Sequence, residues 1–347
     1  MRLVPGVICR PIAQTGILAG IPGEGPTVLL RACLDALPID ERTGVEYASE
    51  VPGASHACGH DGQIATLVGA LVLLSEFNPG IQAYGLFQPA EEMDTGARAV
   101  LEAGLLEDLR PEVALGFHGY PGLDAGTIGV SPGPVMGSIT TIRCRVAGRG
   151  GHGAEPHLTA DALTAAAALV LDWQVALSRR VDPRQSMVLS VGRLSSGVTA
   201  NVVPGEAEID ATLRCLDPAI EDDLRRIVAD VVRGVEARTG TTVALSAEQV
   251  VPAVVNDPVA AGLVADAVVE TLGRAALVEA TPTLGGDDFA WLMHRVRGCY
   301  FFIGERQRDR PPYGWHDPAY DLDEESLVYG SAVLAAAAAR VREGGSM

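Results

Sequence analysis

Residues 27–35 read TVLLRACLD, an apolar run closed by an acid. A run this apolar, without polar alternation, suits a strand buried on both faces of a parallel sheet, and Asp35 then falls at its carboxyl end. Residues 81–88 repeat the pattern and lead into Glu91 and Glu92; residues 112–117 do so again and lead into His118. The intervening stretches 60–77 and 95–106 read as helices. The order is therefore β-α-β-α-β, and the fold class is α/β. Ligands in such sheets bind beyond the carboxyl ends of the strands, so three strand ends deliver acidic or imidazole groups to one rim.

Six residues carry the side chains that a two-metal hydrolase needs. They are Cys58 and His60 in HACGHD, Glu91 and Glu92 in FQPAEE, His118 in GFHG and His316 in GWHDP. Taken singly, a cysteine is more often a small buried hydrophobe and a histidine a satisfied core residue. Their convergence on strand ends argues for a shared task. Thiolate, imidazole and carboxylate together suit borderline divalent metals such as zinc or manganese. Amide hydrolysis near neutral pH needs a strong nucleophile, a place for the oxyanion and a proton for the departing amine. A metal supplies the first by lowering the pKa of bound water toward about 7. Of the neighbours Glu91 and Glu92, one carboxylate can bind metal while the other moves the proton. A rival reading makes Cys58 a nucleophile with His60 as its base. That i, i+2 pair has no orienting group, and it leaves the other four residues unexplained.

Composition narrows the partners. The chain has 347 residues, enough for two domains with separate cores, and is 48% hydrophobic with no low-complexity tract. Its net charge of −18 would repel a phosphate backbone or an anionic membrane surface, so neither nucleic acid nor membrane is expected as a partner. The six cysteines are widely spaced with no C-x-x-C pair, which favours reduced thiols. With no apolar segment of signal-peptide length, the expected location is the cytoplasm.

A second domain announces itself by a change of pattern. Residues 140–146 alternate, with Ile142, Cys144 and Val146 on one face. Residues 160–178 read as an Ala/Leu-rich helix, 186–194 and 206–215 as strands, and 241–247 as a last strand. Asp217 and Pro218 look like the N-cap and first position of a helix that runs to Gly240. The order β-α-β-β-α-β is that of the ferredoxin-like split motif. The expected organisation is a catalytic domain of residues 1–138 and 251–347, with an inserted domain at 139–250.

The segments LRACLDALPI, VPGASHACGHDG, FQPAEE, GFHG, GPVMGS, GRGGHGAEPH, ANVVPGEAEIDATLRC, GGDDFAWL and HDPAYDLDEESL occur in this order. Together they resemble the M20 metallopeptidases, and most closely the amidohydrolase subfamily that includes hippurate hydrolase, N-acyl-amino-acid amidohydrolases and indole-acetyl-amino-acid hydrolases. The likeness runs from about residue 16 to about residue 330. It implies a metal-dependent amidohydrolase that cleaves N-acyl amino acids, with a dipeptidase of the same family, or a binding protein that has lost catalysis, as alternatives. Glu91 would be the general base and acid. Cys58, His60, Glu92, His118 and His316 would hold two divalent ions, zinc or manganese, with cobalt or nickel also found in such sites. Asp35 would orient a ligand imidazole. The inserted domain would act as lid and dimerisation domain in a homodimer or higher homo-oligomer. There, His152 would stabilise the oxyanion, often in a neighbouring subunit, while Asn201 and Arg214 would hold the substrate carboxylate.

Three features depart from the family pattern. Cys33 stands where the family's R-A-D-M-D-A-L-P segment has its first aspartate. Gln63 replaces a frequent histidine, though its amide can still hydrogen-bond. Only about 25 residues precede the first catalytic strand, so an N-terminal helical layer is expected to be missing.

Overall fold

The computed structural model describes residues 4, 6–77, 80–308 and 313–343. The chain divides into two compact units, one holding the chain up to Val135, Val254–Thr281 and everything from Asp287 onward. The other holds Met136–Ala253 with Pro282–Gly286.

The first unit is built on β1 (Ile8–Ile12), β2 (Gly16–Ile21), β3 (Thr27–Cys33), α1 (His60–Phe77), β4 (Gln82–Gln88), α2 (Gly96–Glu102), β5 (Val113–Asp124), α3 (Pro258–Leu272), β6 (Gly298–Arg306) and α4 (Glu325–Glu343). Its sheet runs β1-β2-β4-β3-β5-β6 and is extended by the short strands Ile128–Gly129 and Leu277–Val278. The four strands β4, β3, β5 and β6 are parallel, as the apolar runs require. All seven residues of β3 are buried. The residues ahead of β3 add an antiparallel pair, β1 and β2, which the apolar patterning did not foretell.

Helix α4 packs on both α1 and α3. Leu67, Leu71 and Leu74 of α1, Val264 and Val268 of α3, and Leu334 and Ala338 of α4 join the strand residues in one core. Each fully buried leucine contributes about 1.5–3 kcal/mol relative to exposure. Helix α1 opens with Asp61 in its first turn, where a carboxylate favours the positive end of the helix dipole.

Two expectations are corrected. Strand β5 does not stop at residue 117 but continues to Asp124, because β6 pairs with it as far as Arg306 opposite Asp124. His118 therefore lies within a strand. The single helix expected at 95–106 is split into α2 and a short helix Leu105–Leu109. Between them Gly104 takes the left-handed φ of 82°, which glycine adopts without steric cost.

In the second unit, strands Ser138–Ala147, Met187–Ser196, Glu206–Cys215 and Thr242–Val251 form an antiparallel sheet in the spatial order second, third, first, fourth. Helices Ala162–Arg180 and Glu221–Thr239 complete the β-α-β-β-α-β sequence. Ile142, Cys144 and Val146 are all buried, in a core with Trp173 and Leu224. Asp217 accepts a hydrogen bond from the Ala219 amide at 2.9 Å, and a 3₁₀ turn, Pro218–Ile220, leads into the second helix. Among the described residues no helix is long and apolar enough to cross a membrane.

Candidate metal centre

The first unit brings all six candidate metal-site residues together, and Asp35 with them. Gly59, at φ 78°, makes the turn that separates Cys58 from His60, the first residue of α1. Glu91 and Glu92 follow β4 in a tight loop where Ala90 and Asp94 take positive φ values of 53° and 56°. His316 is also left-handed, at φ 68°, and its amide donates to the Ala57 carbonyl at 2.7 Å. That bond ties the late loop to the HACGHD segment.

The hydrogen bonds settle which imidazole nitrogens are bare. His60 Nδ1 donates to the Asp35 carbonyl at 2.9 Å and lies 3.5 Å from the Asp35 carboxylate. Its Nε2 is buried and has no hydrogen-bond partner. His118 Nδ1 donates to the Gly119 carbonyl at 2.8 Å, which leaves Nε2 facing Cys58 Sγ at 3.5 Å. Such outer partners hold a ligand histidine in one tautomer and one orientation. Glu92 presents Oε2 to His316 Nε2 at 3.4 Å, while its Oε1 is buried without a partner. Asp35 Oδ2 accepts from the Glu92 amide at 2.9 Å.

Charge makes the arrangement costly as it stands. Burial, then the field of His60, lowers His118 to about 4, so its ring is neutral at neutral pH. Burial, then Glu92 and Glu91, push the Cys58 thiol far up. Burial and the Asp287 carboxylate hold the Glu91 proton well above the usual carboxylate range. Burial also works against Asp35, but His60 and the Glu92 amide outweigh it and keep that carboxyl below its ordinary value. A divalent cation would balance this crowd of acids and take up the orphaned nitrogen and oxygen. Cys58, His60 and His118 form one group whose ligand atoms all lie within 4.8 Å of one another; Cys58, Glu92 and His316 form another. The donor set fits borderline divalent metals.

A neighbouring polar cluster was given no role in the sequence. Arg31, fully buried, donates from Nη1 to Asp287 at 2.9 Å, from Nη2 to Asp288 at 2.9 Å and from Nε to Gln88 at 3.1 Å. Tyr300 donates to Asp287 at 2.6 Å, and the Ala97 amide donates to Asp288 at 2.8 Å. The adjacent acids in GGDDF were the only sequence signal.

In the second unit, His152 pairs with Val202 in a small antiparallel ribbon, and beside it the Gly153 amide donates to the Asn201 carbonyl at 2.9 Å. His152 is exposed, its Nδ1 accepting from the Ala154 amide at 3.1 Å. Arg214 lies in the four-stranded sheet instead, with Nη1 donating to the Leu284 carbonyl at 3.1 Å.

The family model for peptidase family M20/M25/M40 matches residues 29–340, nearly all of the chain. The chain belongs to that family. It is 35% identical over 341 residues to N-acetyl-L-cysteine deacetylase of Bacillus subtilis, covering 97% of this chain and 80% of that protein. It is 33% identical to IAA-amino acid hydrolase ILR1-like 5 of Arabidopsis thaliana, covering 95% of this chain and 78% of the plant protein. Among solved structures, the Bacillus subtilis YXEP protein, described as a dinuclear metal-binding peptidase of the M20 family, superposes with a TM-score of 0.82. That pair is 32% identical over 97% of this chain and 88% of the other.

Proposed function

We propose that this hydrolase of amide bonds cleaves N-acyl amino acids, using two divalent metal ions held by Cys58, His60, Glu92, His118 and His316. The observation that carries the reading is the pair of buried, partnerless atoms, His60 Nε2 and Glu92 Oε1, which lie 4.0 Å apart, with His60 Nε2 3.7 Å from Oε2 of the buried Glu91. Bound cations supply Lewis acidity, which lets water act as a nucleophile near neutral pH and polarises the substrate carbonyl.

The chain's own residues do the rest. Glu91 takes the proton of the attacking water and gives it to the departing amine, acting first as general base and then as general acid. Asp35 and Gly119 fix the ring orientations of His60 and His118. His152 donates to the oxyanion, and Asn201 with the Arg214 fork holds the free carboxylate of the amino acid. Relatives named N-acetyl-L-cysteine deacetylase and IAA-amino acid hydrolase support an acyl group joined to an amino acid as the substrate class.

In this reading the chain works as a homodimer in which His152 serves the partner's site. Mixing His152→Ala with Glu91→Gln protein then restores activity, because a mixed dimer assembles one intact site; no recovery would place His152 within its own subunit. The reading as a whole is tested by elemental analysis of the purified protein alongside a panel of N-acetyl, N-benzoyl and indole-acetyl amino acids. About two equivalents of metal and turnover of at least one class are expected. Hydrolysis of unblocked dipeptides alone would overturn the substrate assignment.

A further inference from the structure

One buried thiol beside the centre has no part in the chemistry described so far. Cys33, the last residue of β3, is 0% exposed, and its amide donates to Gln63 Oε1 at 3.0 Å. That bond holds the strand end against α1. Cys33, His60 and Glu91 offer ligand atoms that all lie within 4.8 Å of one another. A buried cysteine alone is ordinarily a small hydrophobe. This one adjoins His60, whose Nε2 is buried, has no partner and sits 3.7 Å from Glu91 Oε2, in the same group.

We propose that Cys33 is a metal-contacting residue: its sulfur and a nitrogen of His60 form a second thiol-bearing corner of the centre, with Glu91 left free for the proton. The inference rests on the metal-hydrolase reading and adds that the centre carries two sulfurs, Cys58 and Cys33, rather than one. The chemical consequence is preference. A thiolate selects zinc and other soft cations, whereas a carboxylate in its place favours manganese or magnesium.

Cobalt(II) reports directly on this, because each bound thiolate adds sulfur-to-cobalt charge-transfer absorption in the near ultraviolet. With the protein loaded to two equivalents, Cys33→Asp and Cys33→Ser should each lose about half of that absorption, one of two thiolates having been removed. Cys58→Ser should lose the other half. Competition between zinc and manganese, read by elemental analysis, should shift toward manganese by about tenfold or more in Cys33→Asp, as expected when a group that tunes a metal site is replaced. Should the variants fold poorly, cadmium-113 spectra of the unaltered protein decide the matter, since a ligating cysteine shows scalar coupling between its β protons and the metal: coupling from both Cys33 and Cys58 supports the proposal. Full absorption retained in both Cys33 variants, or cadmium coupling from Cys58 alone, overturns it and leaves the single-sulfur centre standing. Loss of the whole band in Cys58→Ser with none lost at Cys33 overturns it equally. Absence of any cobalt binding would instead sink the metal-hydrolase reading beneath it.

Discussion

Two buried polar clusters occupy the first unit, and they are built on opposite principles. Around Arg31 the donors and acceptors are matched, with Asp287, Asp288, Gln88 and Tyr300 all engaged at 2.6–3.1 Å. Around His60 they are not, and Asp35 Oδ1, His60 Nε2 and Glu92 Oε1 are buried with nothing to bond. A buried polar atom without a partner costs about 1–3 kcal/mol. A protein that satisfies one cluster and leaves the other incomplete has arranged the second for something that arrives from outside.

That contrast can be broken at several points, of which Glu91→Gln is the most severe. The amide keeps the shape but cannot take a proton, so turnover should fall about 10²- to 10⁴-fold with metal content unchanged. Activity within about tenfold of the parent would remove Glu91 from the base role. The matched cluster should fail differently. Arg31→Met leaves two buried carboxylates without their cation and should cost about 3–5 kcal/mol in denaturant unfolding. A stability within about 1 kcal/mol of the parent would mean the network holds little together. At the unmatched cluster, Cys58→Ser and His316→Ala should weaken metal binding about 10- to 100-fold or more while leaving the metal-free thermal midpoint nearly in place. Stoichiometric, undiminished binding in both would count against the ligand set.

The smallest effect is a pH dependence. Burial and the charge of Asp287 raise Asp288 to about 7, against the pull of Arg31. A carboxyl raised in the folded state stabilises it at pH values below the ordinary carboxylate range, and that contribution is lost as pH rises through about 7. Metal-free protein should therefore lose stability progressively between about pH 4 and pH 7, and Asp288→Asn should flatten the slope there. An unchanged slope in that variant would assign the titration elsewhere.

The sequence made the unmatched cluster legible and hid the matched one. Each candidate site residue follows a local signature, an apolar strand leading into Asp35, Glu91 and Glu92 or His118, or a short motif around Cys58 and His60 or around His316, and hydrophobic periodicity located the strands and helices among them. His118 was anticipated as a site residue but not as part of a strand, because the extension to Asp124 depends on pairing with β6, nearly two hundred positions away. The break at Gly104 was a matter of one glycine within an otherwise helical pattern. Arg31 and its acids leave only the adjacent acids of GGDDF as a signal: nothing in RACLD or GGDDF says that these segments meet. The antiparallel pair at β1 and β2 was missed for the related reason that β2 is recognised only beside β4.

The Arg31 pairing also sets a timetable for biosynthesis. Arg31 and Asp287 are 256 positions apart, with the whole second unit encoded between them. At about 5–20 residues per second the ribosome needs on the order of tens of seconds to supply the acids after the arginine has emerged. Until then β3 carries a cation that cannot enter an apolar interior alone. The expected order is that the intervening unit, complete in itself by residue 253 apart from five later residues, folds on the ribosome before the sheet that precedes it can close. Nascent chains stalled before Asp287 emerges should be cleaved by protease within residues 27–35 and become resistant once it is free; early resistance there would contradict this order.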